Sequence, residues 1–196
     1  VEAGLVESLD APGGSMTGST DATDVEGQID MLLKVVPSAK TVGIFYNSSE
    51  VNSEVQADQA KQALEAKGVK VEVATVTSTN DVQQTMTSLA AKVDAIYLPT
   101  DNTVASTAST IGEILQEAKV PAMGSDAAVI DATLFTYGVD YHAIGVQAGE
   151  LAVKILKGDK PADLPVEKPN TAAVTVNEEM ATALGFDAET IKALEK

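Results

Sequence analysis

Cysteine is absent from the 196 residues, which excludes disulfides, thiolate nucleophiles and thiolate-held zinc, but leaves the compartment open because exported proteins often lack disulfides too. Arginine is absent as well, all 13 basic residues being Lys. No guanidinium fork can therefore grip a ligand carboxylate or phosphate from within this chain. Tryptophan is missing and aromatics make up only 4%, which leaves little surface for stacking nucleobases. With 29 Asp and Glu, the formal net charge is -16, a field that repels phosphate backbones and anionic lipid. Neither nucleic acid nor a membrane surface is an expected partner. No apolar run approaches membrane-spanning length, and no basic segment followed by an apolar stretch opens the chain. Val1 is not an initiator residue, so the biological N-terminus is expected upstream.

What is present is a repeated phrase. Residues 93–102 read Val-Asp-Ala-Ile-Tyr-Leu-Pro-Thr-Asp-Asn, a short apolar run closed by polar residues and followed by a helical pattern, as in a buried strand delivering side chains to an edge. Runs at 41–46, 120–124 and 135–139 end similarly, in Asn47-Ser48-Ser49-Glu50, Ser125-Asp126 and Asp140-Tyr141. Helical spacing is predicted for 25–36, 50–67 with Ser48 and Ser49 as caps and Gly68 as terminator, 80–92, 103–119 and, more briefly, 127–132. A further strand is predicted at 69–76. Alternation at this spacing is the pattern of βαβ units, so the fold class is α/β, a doubly wound parallel sheet. After it come a helix at 142–157 with Ile144, Val146, Leu151, Ile155 and Leu156 inward, an extended crossing segment at 160–169, a strand at 172–176, and helices at 178–185 and 188–194. A crossing segment followed by a fresh strand implies a second, incomplete unit.

In an open parallel sheet, ligands bind outside the carboxyl ends of the strands. The polar residues gathered there are Asn47, Ser48, Ser49, Glu50, Asn52, Thr100, Asp101, Asn102, Ser125, Asp126 and Asp140, with Thr17 and Ser19 earlier in the chain. Helix N-termini after Ser49 and near Asn102 offer backbone N–H groups that suit a carboxylate. Asp101, Asp126 and Asp140 suit an ammonium, which is costly to bury unpaired. A small zwitterion satisfies both. Helix capping competes with ligand contact at Ser48, Ser49 and Asp140. Enzymatic readings have less support: the sole histidine, His142, opens an amphipathic helix, and no nucleophile elbow, Walker loop or dinucleotide fingerprint occurs. No catalytic residue or cofactor is implied. A Mg²⁺-dependent phosphoryl-transfer or hydrolase site on the aspartates is one alternative; a sugar site with Tyr46, Tyr97 and Tyr141 as platforms is another.

Glu2-Ala-Gly-Leu-Val-Glu-Ser-Leu-Asp-Ala-Pro-Gly-Gly, Met16-Thr-Gly, Tyr46-Asn-Ser-Ser-Glu-Val-Asn-Ser, Ala95-Ile-Tyr-Leu-Pro-Thr-Asp-Asn and Tyr137-Gly-Val-Asp-Tyr together resemble the substrate-binding proteins of ABC transporters, of the type I periplasmic-binding-protein fold, tryptophan- and tyrosine/phenylalanine-binding members in particular. The resemblance spans essentially the whole chain. It implies two Rossmann-like lobes joined by a hinge: residues 1–12 as the end of lobe one and the first crossing, 13–140 as lobe two, and 141–196 as closing helix, crossing segment and return to an incomplete lobe one. It also implies a small amino acid ligand, of the aromatic class that those members bind, in an interlobe cleft faced by the loop from Asn47 to Asn52, by Thr100, Asp101 and Asn102, and by Asp126 and Asp140. Asp126 or Asp140 is expected to meet the ligand amine, and Ser48, Ser49 and neighbouring N–H groups its carboxylate. The expected partners are ABC permease subunits, in an extracytoplasmic setting, with membrane attachment only through a lipid anchor outside this chain.

Overall fold

In the computed structural model, which describes residues 4–139, 141–168 and 172–195, the first regular element is helix α1, Val25–Val35. Asp24 caps it by accepting the Gly27 N–H at 3.0 Å, and the spacing of Val25, Ile29 and Leu32 buries one face. Strand β1 (Thr41–Asn47), α2 (Val51–Ala66), β2 (Lys70–Val76), α3 (Val82–Ala90) and β3 (Ala95–Leu98) follow. Gly68, at φ 76°, turns the chain from α2 into β2 in the left-handed conformation that glycine adopts without strain. Next come α4 (Asn102–Ser106), α5 (Ala108–Ala118), β4 (Ala122–Gly124), a 3-10 stretch at Ala127–Ala132 and β5 (Phe135–Val139). The series closes with α6 (Tyr141–Leu156), β6 (Ala172–Val176), α7 (Glu178–Leu184) and α8 (Ala188–Lys192).

The strands form one sheet in the order β2-β1-β3-β4-β5-β6, and the pairings from β2 through β5 are parallel. Asn177, just past β6, donates its N–H to the carbonyl of Leu134, just before β5, at 3.0 Å. The end of β6 thus lies beside the start of β5, as in an antiparallel neighbour. Strands β1 and β3 are buried on both faces, which is why they read as unbroken apolar runs rather than alternating ones. One core layer packs Ile29, Leu32, Ile44, Leu64, Tyr97 and Phe135 together; the other contains Phe45, Met86, Ile96, Leu98, Ile111 and Leu115. A fully buried Leu or Ile contributes about 1.5–3 kcal/mol relative to exposure, so the two layers fix the sheet between its helices.

The helix predicted at 103–119 is in fact two. Thr107, at φ -116° and ψ 14°, separates α4 from α5. Its hydroxyl donates to the Thr103 carbonyl at 2.7 Å and the Ser106 hydroxyl to the same carbonyl at 2.9 Å. Such hydroxyl back-bonding competes with the helical ladder and bends it.

Two compact units result, Val1–Thr23 with Val139–Ala172, and Asp24–Gly138 with Ala173–Lys196. They are compact units of this chain and leave the lobe division expected from the resemblance, 1–12, 13–140 and 141–196, as an expectation. Residues 13–23 gather with the smaller unit because the leading segment pairs with the crossing segment: Val166 N–H donates to Leu9 O at 2.7 Å, Glu167 N–H to Gly18 O at 2.9 Å and Thr20 N–H to Glu167 O at 2.9 Å. The closing elements stay with the large sheet, where β6 extends it and Met180, Ala181 and Ile191 enter the core beside α1. Within the smaller unit only Leu151 of the predicted inward residues of α6 is deeply buried; Val146, Ile155 and Leu156 are exposed, Leu156 at 87%.

Candidate functional site

Because β1, β3 and β4 are parallel neighbours, their carboxyl ends bring Asn47, Thr100 to Asn102, and Ser125 with Asp126 to one edge of the sheet. Asp101 is buried there and both of its oxygens are engaged: one accepts Val104 N–H at 2.9 Å, capping α4, and the other accepts Asn47 N–H at 2.7 Å. Asn47 in turn donates its carboxamide N–H to Thr103 Oγ1 at 2.8 Å and accepts Ser49 N–H at 2.8 Å, an Asx turn two residues long. Glu50 accepts from Asn102 N–H and side-chain amide at 3.0 and 2.8 Å, and from Thr103 N–H and hydroxyl at 3.2 and 3.3 Å. Partial burial pushes the Glu50 carboxyl up, but these hydrogen bonds outweigh it and leave it below the ordinary value.

Two sequence expectations change. The first three N–H groups of α4 are taken by Glu50 and Asp101, so the helix end near Asn102 is not open to an external carboxylate. Ser48 and Ser49 do not cap α2, because the turn built on Asn47 draws them in. The Ser48 N–H donates to Val76 O at 3.0 Å, and the Ser49 N–H goes to Asn47. Glu50 is the N-cap residue of α2 and supplies no side-chain bond to it. Ser48 and Ser49 are exposed residues of the loop beside that helix start, the Ser48 hydroxyl donating to the Val76 carbonyl at 3.5 Å, and Val51 is 73% exposed.

Thr100 ties the edge together. Its carbonyl accepts from the Asn52 side chain and the Ser53 hydroxyl, both at 2.9 Å, its N–H donates to Gln56 Oε1 at 2.8 Å, and its hydroxyl meets Ser125 Oγ at 3.0 Å. Asp126, 7% exposed, accepts Ala128 N–H at 2.7 Å and caps the 3-10 stretch. Asp140 lies outside the described residues. Thr17 and Ser19 bond within the smaller unit, to the carbonyls of Leu164 at 2.8 Å and Ile144 at 3.3 Å. Tyr46 and Tyr97, considered as sugar platforms, are buried in the core because each sits in a central strand. Among the described residues no three His, Asp or Glu side chains are grouped as metal ligands.

Sequence reasoning did not single out Gln28, yet it is 1% exposed beneath this edge. Its carboxamide donates to the Tyr137 carbonyl at 2.7 Å and the Ser125 carbonyl at 3.5 Å, and accepts the Tyr97 hydroxyl at 2.7 Å. Burial drives the Tyr97 phenol well above its usual titration range, and a hydrogen bond with Ser125 opposes this only in part. The usable signal was positional: Gln28 interrupts the apolar stripe of Val25, Ile29 and Leu32.

A family model for ABC transporter substrate binding proteins matches residues 1–192. The chain belongs to this family. A protein similar to it is a tyrosine-binding protein of Clostridioides difficile, 34% identical over 94% of this chain and 54% of that protein. The chain spans about half the length of the curated relatives it matches. Among solved structures, a Streptococcus pneumoniae ABC domain in complex with L-Trp superposes with a TM-score of 0.87 at 37% identity, covering 98% of this chain and 66% of that one. A ligand-free, open substrate-binding protein with adhesive properties from Clostridium difficile gives 0.81 at 38% identity, covering 95% and 63%. The mixed α/β sheet of this family member thus matches a periplasmic-binding-protein lobe, and the chain is partial with respect to these relatives.

Proposed function

We propose that this chain is part of an extracytoplasmic substrate-binding protein that captures a free aromatic amino acid and presents it to an ABC permease. The observation carrying the reading is the character of the edge at residues 47–52: helix α2, like α3 and α5, starts without a side-chain cap, and at α2 two exposed serines stand beside the helix start at the carboxyl end of a central strand. Uncapped N–H groups and hydroxyls form an anion-accepting surface, which receives a carboxylate without a guanidinium. On the same sheet edge, Asp126 supplies negative charge for the ammonium group. The L-Trp complex and the tyrosine-binding relative support the aromatic side-chain class.

Both charges of the ligand are then needed. Isothermal titration calorimetry with L-tryptophan and L-tyrosine should show saturable binding. Tryptamine, lacking the carboxylate, and indole-3-propionate, lacking the amine, should each bind at least about thirtyfold more weakly, since a charged hydrogen-bonded partner lost from a buried site costs about 2–5 kcal/mol. Equal affinity for either analogue would refute the zwitterion reading.

A further inference from the structure

Gln28 is placed to do more than fill space. A buried carboxamide must satisfy two N–H donors and a carbonyl acceptor. Here the donors face two backbone carbonyls, Tyr137 at 2.7 Å and Ser125 at 3.5 Å, and the acceptor faces the Tyr97 hydroxyl at 2.7 Å. The reversed amide would set its oxygen against two carbonyls, so the chemistry fixes one orientation. The carbonyls belong to different segments: Ser125 immediately precedes Asp126 after β4, and Tyr137 lies in the middle of β5. They are also forced close together, because a Cβ on Gly138 would stand 2.2 Å from the Ser125 carbonyl oxygen and 3.3 Å from Asp126 Cα. Ser125 is held on its other side by the Thr100 hydroxyl at 3.0 Å. The turn entering Asp126 is therefore held by Gln28 of α1 at the Ser125 carbonyl, by Thr100 in the loop after β3 at the Ser125 hydroxyl, and by the close approach of Gly138 in β5, and of these three Gln28 bonds both Ser125 and Tyr137.

We infer that Gln28 is a positioning residue for ligand capture: through Ser125 and Tyr137 it sets the place of the turn carrying Asp126, so that the carboxylate meets the ligand amine without reorganising. This rests on the proposed amino acid reading. Charge-assisted contacts depend steeply on placement, and a turn left to wander would lower affinity without losing a single ligand contact residue.

The test uses Gln28→Leu, which keeps approximate volume and removes both donors, Gln28→Glu, and Ile111→Val as a control in the opposite core layer. Two readouts are taken: titration of L-tryptophan and L-tyrosine, and amide hydrogen exchange at Ala128, whose N–H Asp126 holds. Gln28→Leu should bind at least about tenfold more weakly and speed exchange at Ala128 beyond any global change, with Ile111→Val leaving affinity as in the wild type. Gln28→Glu should regain affinity at low pH, where its protonated carboxyl can again donate to a carbonyl, and lose it as the pH rises and the acid ionises. Wild-type affinity in Gln28→Leu, or unchanged Ala128 exchange, overturns the proposal. If the wild type binds neither amino acid, the functional reading and with it the capture role fail. An exchange change in that case would assign Gln28 to holding the turn alone.

Discussion

The carboxylate at residue 126 can be neutralised without removing the cap it provides, since Asn and Asp are comparable N-caps. Asp126→Asn is therefore expected to keep the fold within about 0.5 kcal/mol by thermal melting while weakening amino acid binding by about 2–4 kcal/mol in calorimetry. Unchanged affinity would remove Asp126 from the site. At Gly138 the opposite balance holds. A methyl group 2.2 Å from a backbone carbonyl cannot be absorbed by a rotamer change, so Gly138→Ala should cost about 1–3 kcal/mol of stability in urea titration. Residue types in the sequence were enough to bring the polar residues that end β1, β3 and β4 to one edge. They could not say which polar groups are consumed internally, because the pairings of Asp101 with Asn47 and of Glu50 with Asn102 span more than 50 positions and depend on strand adjacency. Gln28 escaped for a related reason: a lone polar residue on an apolar stripe declares its purpose only when its partners are known.

At the scale of elements, the N-terminus of α4 has a pH-dependent support. Hydrogen bonds from Asn102 and Thr103 lower the Glu50 carboxyl below its ordinary value of 4.5 despite partial burial. A carboxyl lowered by folding stabilises the native state above its unfolded pKa, and the contribution is lost as pH falls through the folded value. Acid titration of stability should therefore fall less steeply below about pH 4.5 in Glu50→Gln than in the wild type; the two curves remaining parallel would argue against it. The effect is small, as the group is largely solvated. Most helices and strands were legible from apolar periodicity and punctuation, since Gly68, Asp24 and the polar strand ends act locally. The break at Thr107 was not, because Ser-Thr pairs are tolerated inside helices and bend them only when the hydroxyls turn back on the ladder. The predicted inward face of α6 was legible as apolar but not as exposed; periodicity reports which residues prefer burial, not what is present to bury them.

For the whole molecule, the fold class followed from alternation alone, but the placing of β6 did not. Strand order within a sheet is a long-range property, and the local pattern around 172–176 fits a strand in either unit. The same limit affects the assignment of residues 13–23, which depends on pairing with 160–168. Composition, in contrast, acts globally: without arginine no guanidinium of this chain grips a carboxylate, and a charge of -16 repels polyanions such as nucleic acid. The proposed capture of a free amino acid is best decided by a native mass spectrum of the protein incubated with L-tryptophan and with L-tyrosine, followed by gentle collisional activation. A one-to-one adduct that releases an intact amino acid mass and leaves the folded chain is expected. Bare protein with both ligands, under conditions where the charge-state distribution shows it folded, would contradict it.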